Sequence, residues 1–383
     1  MIHMAIPNLT GHEKEYLDQC IDTTFVSSVG AFVNRFEEMT AELSDARFSV
    51  ATSSGTTALH TALMSVGVKP RDIVIVPSFT FIASANAISH CGALPWLTDI
   101  DKESWTMSVP QVSDMLKKCT EVHDNQVFHR ESGRRVAAIM PVYTLGNVPD
   151  MDSLNDLAKV YRLPVVADAA CALGATYKGS KLGPLADLTC YSFNGNKTFT
   201  AGGGGAIVGN DEVVLARARH ISTTARTTTE YDFDMVGYNY RMTNIQAAVG
   251  CAQLERFEEF IGRKREVRSF YNSAFQDCDK CSTFPVPEAC ESACWFSGIV
   301  LDMGGIERVR QICSSLKDRG IEARSFWKPI HMQVPYANAY KADYLSNTES
   351  LWNRIITLPC STGITDEELK NVADEVHSIL LVE

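Results

Sequence analysis

The chain has 383 residues, 45% of them hydrophobic and 21% charged, which suits a folded globular protein with core enough for about two domains. Its 46 acidic residues outnumber its 35 lysines and arginines, giving a formal net charge of −11. That sign argues against nucleic acid or an anionic membrane as the main partner, because either requires a broad basic face.

The opening, "MIHMAIPNLTGHEKEY", has no basic start followed by an apolar run, so no secretory signal is expected. Thr10 and Glu13, three residues apart before an apolar-periodic stretch, predict a capping-box helix start. From Phe48 the pattern alternates. "FSVATSS" predicts a strand, "GTTALHTALMSVG" a helix closed by glycine, "IVIVPSF" a second strand, "FIASANAISHCG" a helix and "ALPWLTDID" a third strand. "RVAAIMPVYT", the helix around "MDSLNDLAKVY" and "LPVVADAA" continue the series. Short apolar runs alternating with helices predict βαβ units and a mostly parallel sheet, with reactive groups at the carboxyl ends of its strands.

"FEEFIGRKREVRSFYNSAF" then predicts a long charged helix leaving the first domain. "WFSGIVLDM", "GIERVRQICSSLKDRG", "IEARSFWKPIH" and "TDEELKNVADEVHSILL" predict a smaller α+β domain. The expected division is an N-terminal helix and arm over 1–30, a large α/β domain over 31–256 and a small domain over 257–383. The longest apolar runs fall far short of a membrane span, and a cytoplasmic protein is expected. Its twelve cysteines are then expected to be buried thiols. Cys278, Cys281, Cys290 and Cys294 could in principle hold zinc, but the gap between the pairs is short for a zinc ribbon, and "STFPVPEA" within it suits an ordinary loop.

The chemistry turns on "YSFNGNKTFTAGGGGAIVGND", where Lys197 precedes four glycines. A phosphate loop of the Walker type requires glycine directly before the lysine, and a dinucleotide loop must open a helix. Here Asn196 precedes the lysine, and the glycines lead into an apolar strand-like run, so both nucleotide-loop readings fail. Asp168 ends the apolar run "PVVAD". A strand-end acid and a lysine on a later loop can face one pocket, and pyridoxal phosphate uses such a pair. The lysine condenses with its aldehyde, and the carboxylate keeps the ring nitrogen protonated. A helix-capping aspartate and a surface lysine would give the same letters. Gly55, Thr56 and Thr57 stand at a strand-to-helix turn, where free amides and the helix dipole favour a phosphate, and Ser192 can add a hydroxyl.

Taken together, "VSSVGAFVNRFEE", "SSGTTALHTAL", "VIVPSFTFIASANAI", "SFNGNKTFTAGGGGAIV", "GYNYRMTNIQAA" and "PIHMQVPY" resemble the sugar-nucleotide aminotransferases of the DegT type, nearly end to end. The resemblance implies an α/β fold of type I pyridoxal-phosphate enzymes, with a large sheet domain and a smaller C-terminal α+β domain. Its wording is most similar to the branch acting on UDP-4-keto-6-deoxy-N-acetylglucosamine in bacillosamine and legionaminic acid pathways, with GDP-perosamine synthases close by. It implies that Lys197 anchors pyridoxal 5'-phosphate, that pyridoxamine 5'-phosphate forms in the cycle, and that Asp168 pairs with the ring nitrogen. Phe81 would stack on the ring, while Thr56, Thr57 and Ser192 bind the phosphate. Asn239 would reach it from a second subunit, which implies a homodimer with shared sites. His331 and Arg324 would line the cleft for the nucleotide sugar, and L-glutamate would be the amino donor. Related dehydratases carry histidine in place of the lysine, so Lys197 argues for transamination. Two departures stand out. Cys171 occupies a position usually held by Gln, His or Glu, and Ala167 replaces a frequent acid.

Overall fold

The computed structural model describes residues 1–381. Seven strands form one continuous sheet in the order Phe48–Thr52, Gly205–Gly209, Leu188–Ser192, Val166–Asp168, Arg134–Ile139, Ile73–Pro77 and Leu94–Thr98. Single parallel bridges, Ile139 to Val165 and Val142 to Asp168, join its two halves. Only Gly205–Gly209 runs against its neighbours, so this sheet is mostly parallel, as expected. Strands such as Ile73–Pro77 and Gly205–Gly209 are buried at every position, as a sheet covered on both faces requires. A hairpin, Thr120–His123 with Gln126–His129, extends one side, and the short strand Tyr340–Lys341 adds to the Leu94–Thr98 edge.

The second sheet is antiparallel, in the order Cys281–Thr283, Ser297–Leu301, Ile355–Leu358 and Arg324–Ser325. The helix Ile306–Asp318 turns Val309, Ile312 and Leu316 inward, spacings of three and four that make one apolar stripe. Those side chains join a core shared with Phe257–Phe275 and Asp366–Leu381. The first residues also lie here, since Ile2 bridges Ile321 and Met4 is buried in the same core.

Three local expectations change. No Thr10–Glu13 capping box forms. The helix Glu13–Asp22 starts without a side-chain cap, because the buried Glu13 carboxylate instead accepts from the Gly11 amide at 2.9 Å and from Gln253 Nε2. The predicted charged helix spans Phe257–Phe275, but it buries Lys264 and Arg268 completely. "IEARSFWKPIH" contributes only the two-residue strand Arg324–Ser325, while Ile355–Leu358 supplies an inner strand that local pattern did not single out.

All twelve cysteines are free thiols, nine of them buried. Of the four weighed as zinc ligands, Cys281 pairs with Leu301 in the antiparallel sheet, whereas Cys290 pairs with Tyr177 in a separate two-stranded pair. Among the described residues, no three His, Cys, Asp or Glu side chains gather as a metal site. No described helix is long and apolar enough to cross a membrane.

Candidate active site

The carboxyl ends of the parallel strands open into a cavity of about 400 Å³ between the two sheets. Its floor comes from the large sheet. Asp168 ends the strand Val166–Asp168 and is 5% exposed. Its Oδ2 accepts from Ser84 Oγ at 2.6 Å, and its Oδ1 accepts from the Ala170 amide at 3.1 Å. Thr80 Oγ1 lies 2.7 Å from Ser84 Oγ and completes a short polar chain behind the carboxylate. Burial raises the Asp168 pKa above the ordinary carboxylate value, while Ser84, Ala170 and Lys197 each pull it back. Among the described residues Asp168 has no ion-pair partner within 4 Å, so a buried carboxylate faces the cavity with room for a cationic donor.

Lys197 lies on the loop after the strand Leu188–Ser192 and is half-buried. Its Nζ stands 3.2 Å from Cys171 Sγ and 4.0 Å from the centre of the Trp295 indole. Burial pushes the Cys171 thiol up, and Lys197 opposes that shift.

The opposite end of the cavity is a helix N-terminus. Ser54 caps the helix Gly55–Ser65 by accepting the Thr57 amide at 3.1 Å. The amides of Gly55 and Thr56 have no acceptor within the helix, and both residues line the cavity with Ser192 and Asn194. The approach requires glycine at 55, where an added Cβ would stand 2.6 Å from Ser192 Cβ. Amides without an acceptor in their own helix, a helix dipole and a hydroxyl together suit an anion such as a phosphate. The run Gly202–Gly205 passes beside this end, with Gly203 and Gly204 in the wall, before entering the strand Gly205–Gly209.

Of the residues singled out in the sequence, Gly55, Thr56, Phe81, Asp168, Ser192, Lys197 and Arg324 line this one cavity. Phe81 is 55% exposed at its mouth. Thr57 does not line it, because its hydroxyl accepts from the Ser54 amide and donates to the Ser54 carbonyl as part of the helix cap. His331 also stands outside: its Nδ1 shares a 2.7 Å hydrogen bond with Ser78 Oγ, and its Nε2 lies 3.2 Å from Glu349. Burial holds that imidazole below its ordinary pKa. Asn239 is exposed on a separate segment, away from this chain's own cavity.

Sequence reasoning missed Ser84, Asn194, Trp295, Phe296, Phe326 and Trp327. The four aromatic residues form the wall contributed by the C-terminal sheet and its loops. Phe326 and Trp327 stack with ring centroids 4.3 Å apart. Ser84 had a usable signal, since it falls in the first turn of the helix Ile82–His90, where an adjacent strand end can be reached.

The site therefore fits pyridoxal phosphate on its own geometry: an unpaired buried carboxylate for the ring nitrogen, an amine for the aldehyde and an anion cradle for the phosphate. Residues 7–377 match the DegT/DnrJ/EryC1/StrS aminotransferase family. The chain is 36% identical over 382 residues to GDP-perosamine synthase of Caulobacter vibrioides, covering 99% of this chain and 98% of that one. It is 28% identical over 383 residues to the UDP-4-amino-4,6-dideoxy-N-acetyl-beta-L-altrosamine transaminase of Campylobacter jejuni, again covering 99% and 98%. In fold it superposes on Helicobacter pylori PseC, an aminotransferase involved in the biosynthesis of pseudoaminic acid, with a TM-score of 0.88, 23% identity and 99% coverage of each chain. The chain belongs to the DegT/DnrJ/EryC1/StrS aminotransferase family, and it is a pyridoxal-phosphate-dependent aminotransferase of the sugar-modifying type.

Proposed function

We propose that this enzyme moves the amino group of L-glutamate to C4 of a nucleotide-linked 4-keto-6-deoxy sugar, and that a GDP-linked acceptor is preferred to a UDP-linked N-acetylated one. The observation that carries the reading is that Lys197 and Asp168 line one cavity whose wall includes the N-terminus of the helix Gly55–Ser65. The sequence alone had favoured the UDP-linked acceptor. The order is reversed here because the relative named for GDP-perosamine is 36% identical and the one named for a UDP-linked sugar 28%.

When bound, pyridoxal phosphate supplies an electrophilic aldehyde and a ring that accepts electrons from the reacting carbon. In this reading Lys197 Nζ would hold the cofactor at its aldehyde, and the same Nζ, once free, would move the proton from the amino-acid carbon. Ser84 and Ala170 orient Asp168 to hold positive charge on the ring nitrogen. The Gly55 and Thr56 amides and Ser192 would hold the phosphate, and Phe81 would lie against the ring. The aromatic wall of Trp295, Phe296, Phe326 and Trp327 keeps water from the reacting atoms. Arg324, at the rim and paired with Glu322, would meet the nucleotide's diphosphate.

A homodimer with shared sites belongs to the same proposal. Tyr238 and Tyr240 pack against His60, each with ring centroids under 6 Å away, which turns the intervening Asn239 outward. Phe25, Val29, Phe233 and Val236 are exposed apolar side chains on surface segments that a second copy would cover. The test is to incubate the protein with pyridoxal phosphate, glutamate and a panel of GDP-, UDP- and dTDP-4-keto-6-deoxy sugars, then identify the amino products. A GDP-linked 4-amino sugar as the fastest product supports the reading. Product from none of them would overturn it.

A further inference from the structure

The Lys197 amine lies between two buried side chains to which the reading above gives no part in its movement. On one side is the Cys171 sulfur at 3.2 Å, on the other the Trp295 ring at 4.0 Å. The indole is fixed in place. Its Nε1 donates at 2.7 Å to the carbonyl of Asn196, the residue before the lysine, and its ring stacks on Phe296 with centroids 3.7 Å apart. Two buried cations on the helix Phe257–Phe275 secure the backbone behind it. Lys264 Nζ donates to the carbonyls of Trp295 at 2.8 Å and Cys360 at 2.7 Å, and Arg268 donates to the carbonyl of Phe296. Neither cation has a carboxylate partner among the described residues. A buried charge without a carboxylate partner is costly, and here the two fix the segment that carries the indole.

Transamination requires the lysine amine to leave the cofactor, stay within reach, accept a proton and return it. We propose that Cys171 and Trp295 form the resting place of the released Lys197 amine and act as positioning residues for its proton transfer. The inference rests on Lys197 being the cofactor lysine. An indole face attracts an ammonium, so it favours the form that Lys197 takes once it has accepted the proton. A thiol sulfur is a weak acceptor. It orients the amine without locking it in a salt bridge, as a carboxylate at position 171 would.

Two measurements test this. In the apoprotein, alkylation of Cys171 by iodoacetamide at pH 8 is followed by peptide mass spectrometry. A neighbouring positive charge favours the reactive thiolate, so Lys197→Met slows the alkylation by about 3-fold or more. An unchanged or faster rate overturns the contact. This arm needs no cofactor, so its failure is distinct from finding the cofactor attached elsewhere. In the holoenzyme, Trp295→Leu lowers kcat by about 3- to 30-fold with the glutamate KM within about 2-fold, the range open to a cation–π contact. Trp295→Phe keeps an aromatic face and restores most of that loss. Equal losses in both variants, or a change in KM alone, would make Trp295 a packing or substrate-binding residue and overturn the proposal.

Discussion

The two sheets contribute opposite halves of the cavity. The parallel sheet brings polar groups at its strand ends: Asp168, Ser192 and the turn at Gly55. The antiparallel sheet and its loops bring chiefly rings, with Trp295, Phe296, Phe326 and Trp327 facing them and Arg324 at the rim. In the proposed reading, the groups bearing the chemistry sit at the strand ends of the doubly covered sheet and on the loops that leave them. In the same reading the smaller sheet supplies most of the apolar wall, and the resting place of the amine comes from both, Cys171 on one side and Trp295 on the other.

Substitutions on the polar half are expected to cost most. Lys197→Ala should lower turnover by more than about 10³-fold, read from amino-sugar formation under saturating cofactor. Asp168→Asn follows, with kcat/KM down by about 10²- to 10³-fold, the cost of removing one member of a buried charge pair.

Asp168→Asn should nevertheless stabilise the apoprotein. Because burial raises the pKa of Asp168 in the folded state, its ionisation opposes folding. That penalty is absent below the ordinary carboxylate value, where both states are protonated, and it appears as pH rises above that value. At neutral pH the variant should melt about 1 to 3 °C higher, with the gain fading in acid, as differential scanning calorimetry would show.

Ser84→Ala gives a smaller effect with a definite sign. Ser84 pulls the Asp168 pKa down, so its loss lets the carboxylate take up a proton at higher pH. The acid limb of pyridoxal phosphate binding should move up by about one pH unit, measured by titrating the apoprotein across pH. His331→Asn should change kcat by less than about 3-fold, because the imidazole stands outside the cavity against Ser78. A loss of two orders of magnitude there would move the substrate cleft and break the division of labour drawn above.

The alternating strands and helices of the large sheet were legible because each strand is a short apolar run closed by a turn, and Asp168, Ser192 and Gly55 fall at such closures. Lys197 was legible through its loop, since the glycines after it lead into a strand instead of a helix. The aromatic half was not legible. Trp295 stands in an irregular stretch after Cys294, whose φ of 50° marks a turn that no glycine announces. Thr57 misled because one Ser-Gly-Thr-Thr turn supplies both a helix cap and an anion site, and spacing does not show which hydroxyl is already bonded. The burial of Lys264 and Arg268 within the charged helix was not legible, because their acceptors lie some 30 and 100 residues away in sequence.

The most direct test of the account is to reduce the cofactor-loaded enzyme with borohydride and map the modified peptide by mass spectrometry. The account predicts one modified residue, Lys197, with no fixed cofactor in Lys197→Ala. Cofactor fixed at any other lysine, or retained in that variant with full turnover, would contradict it.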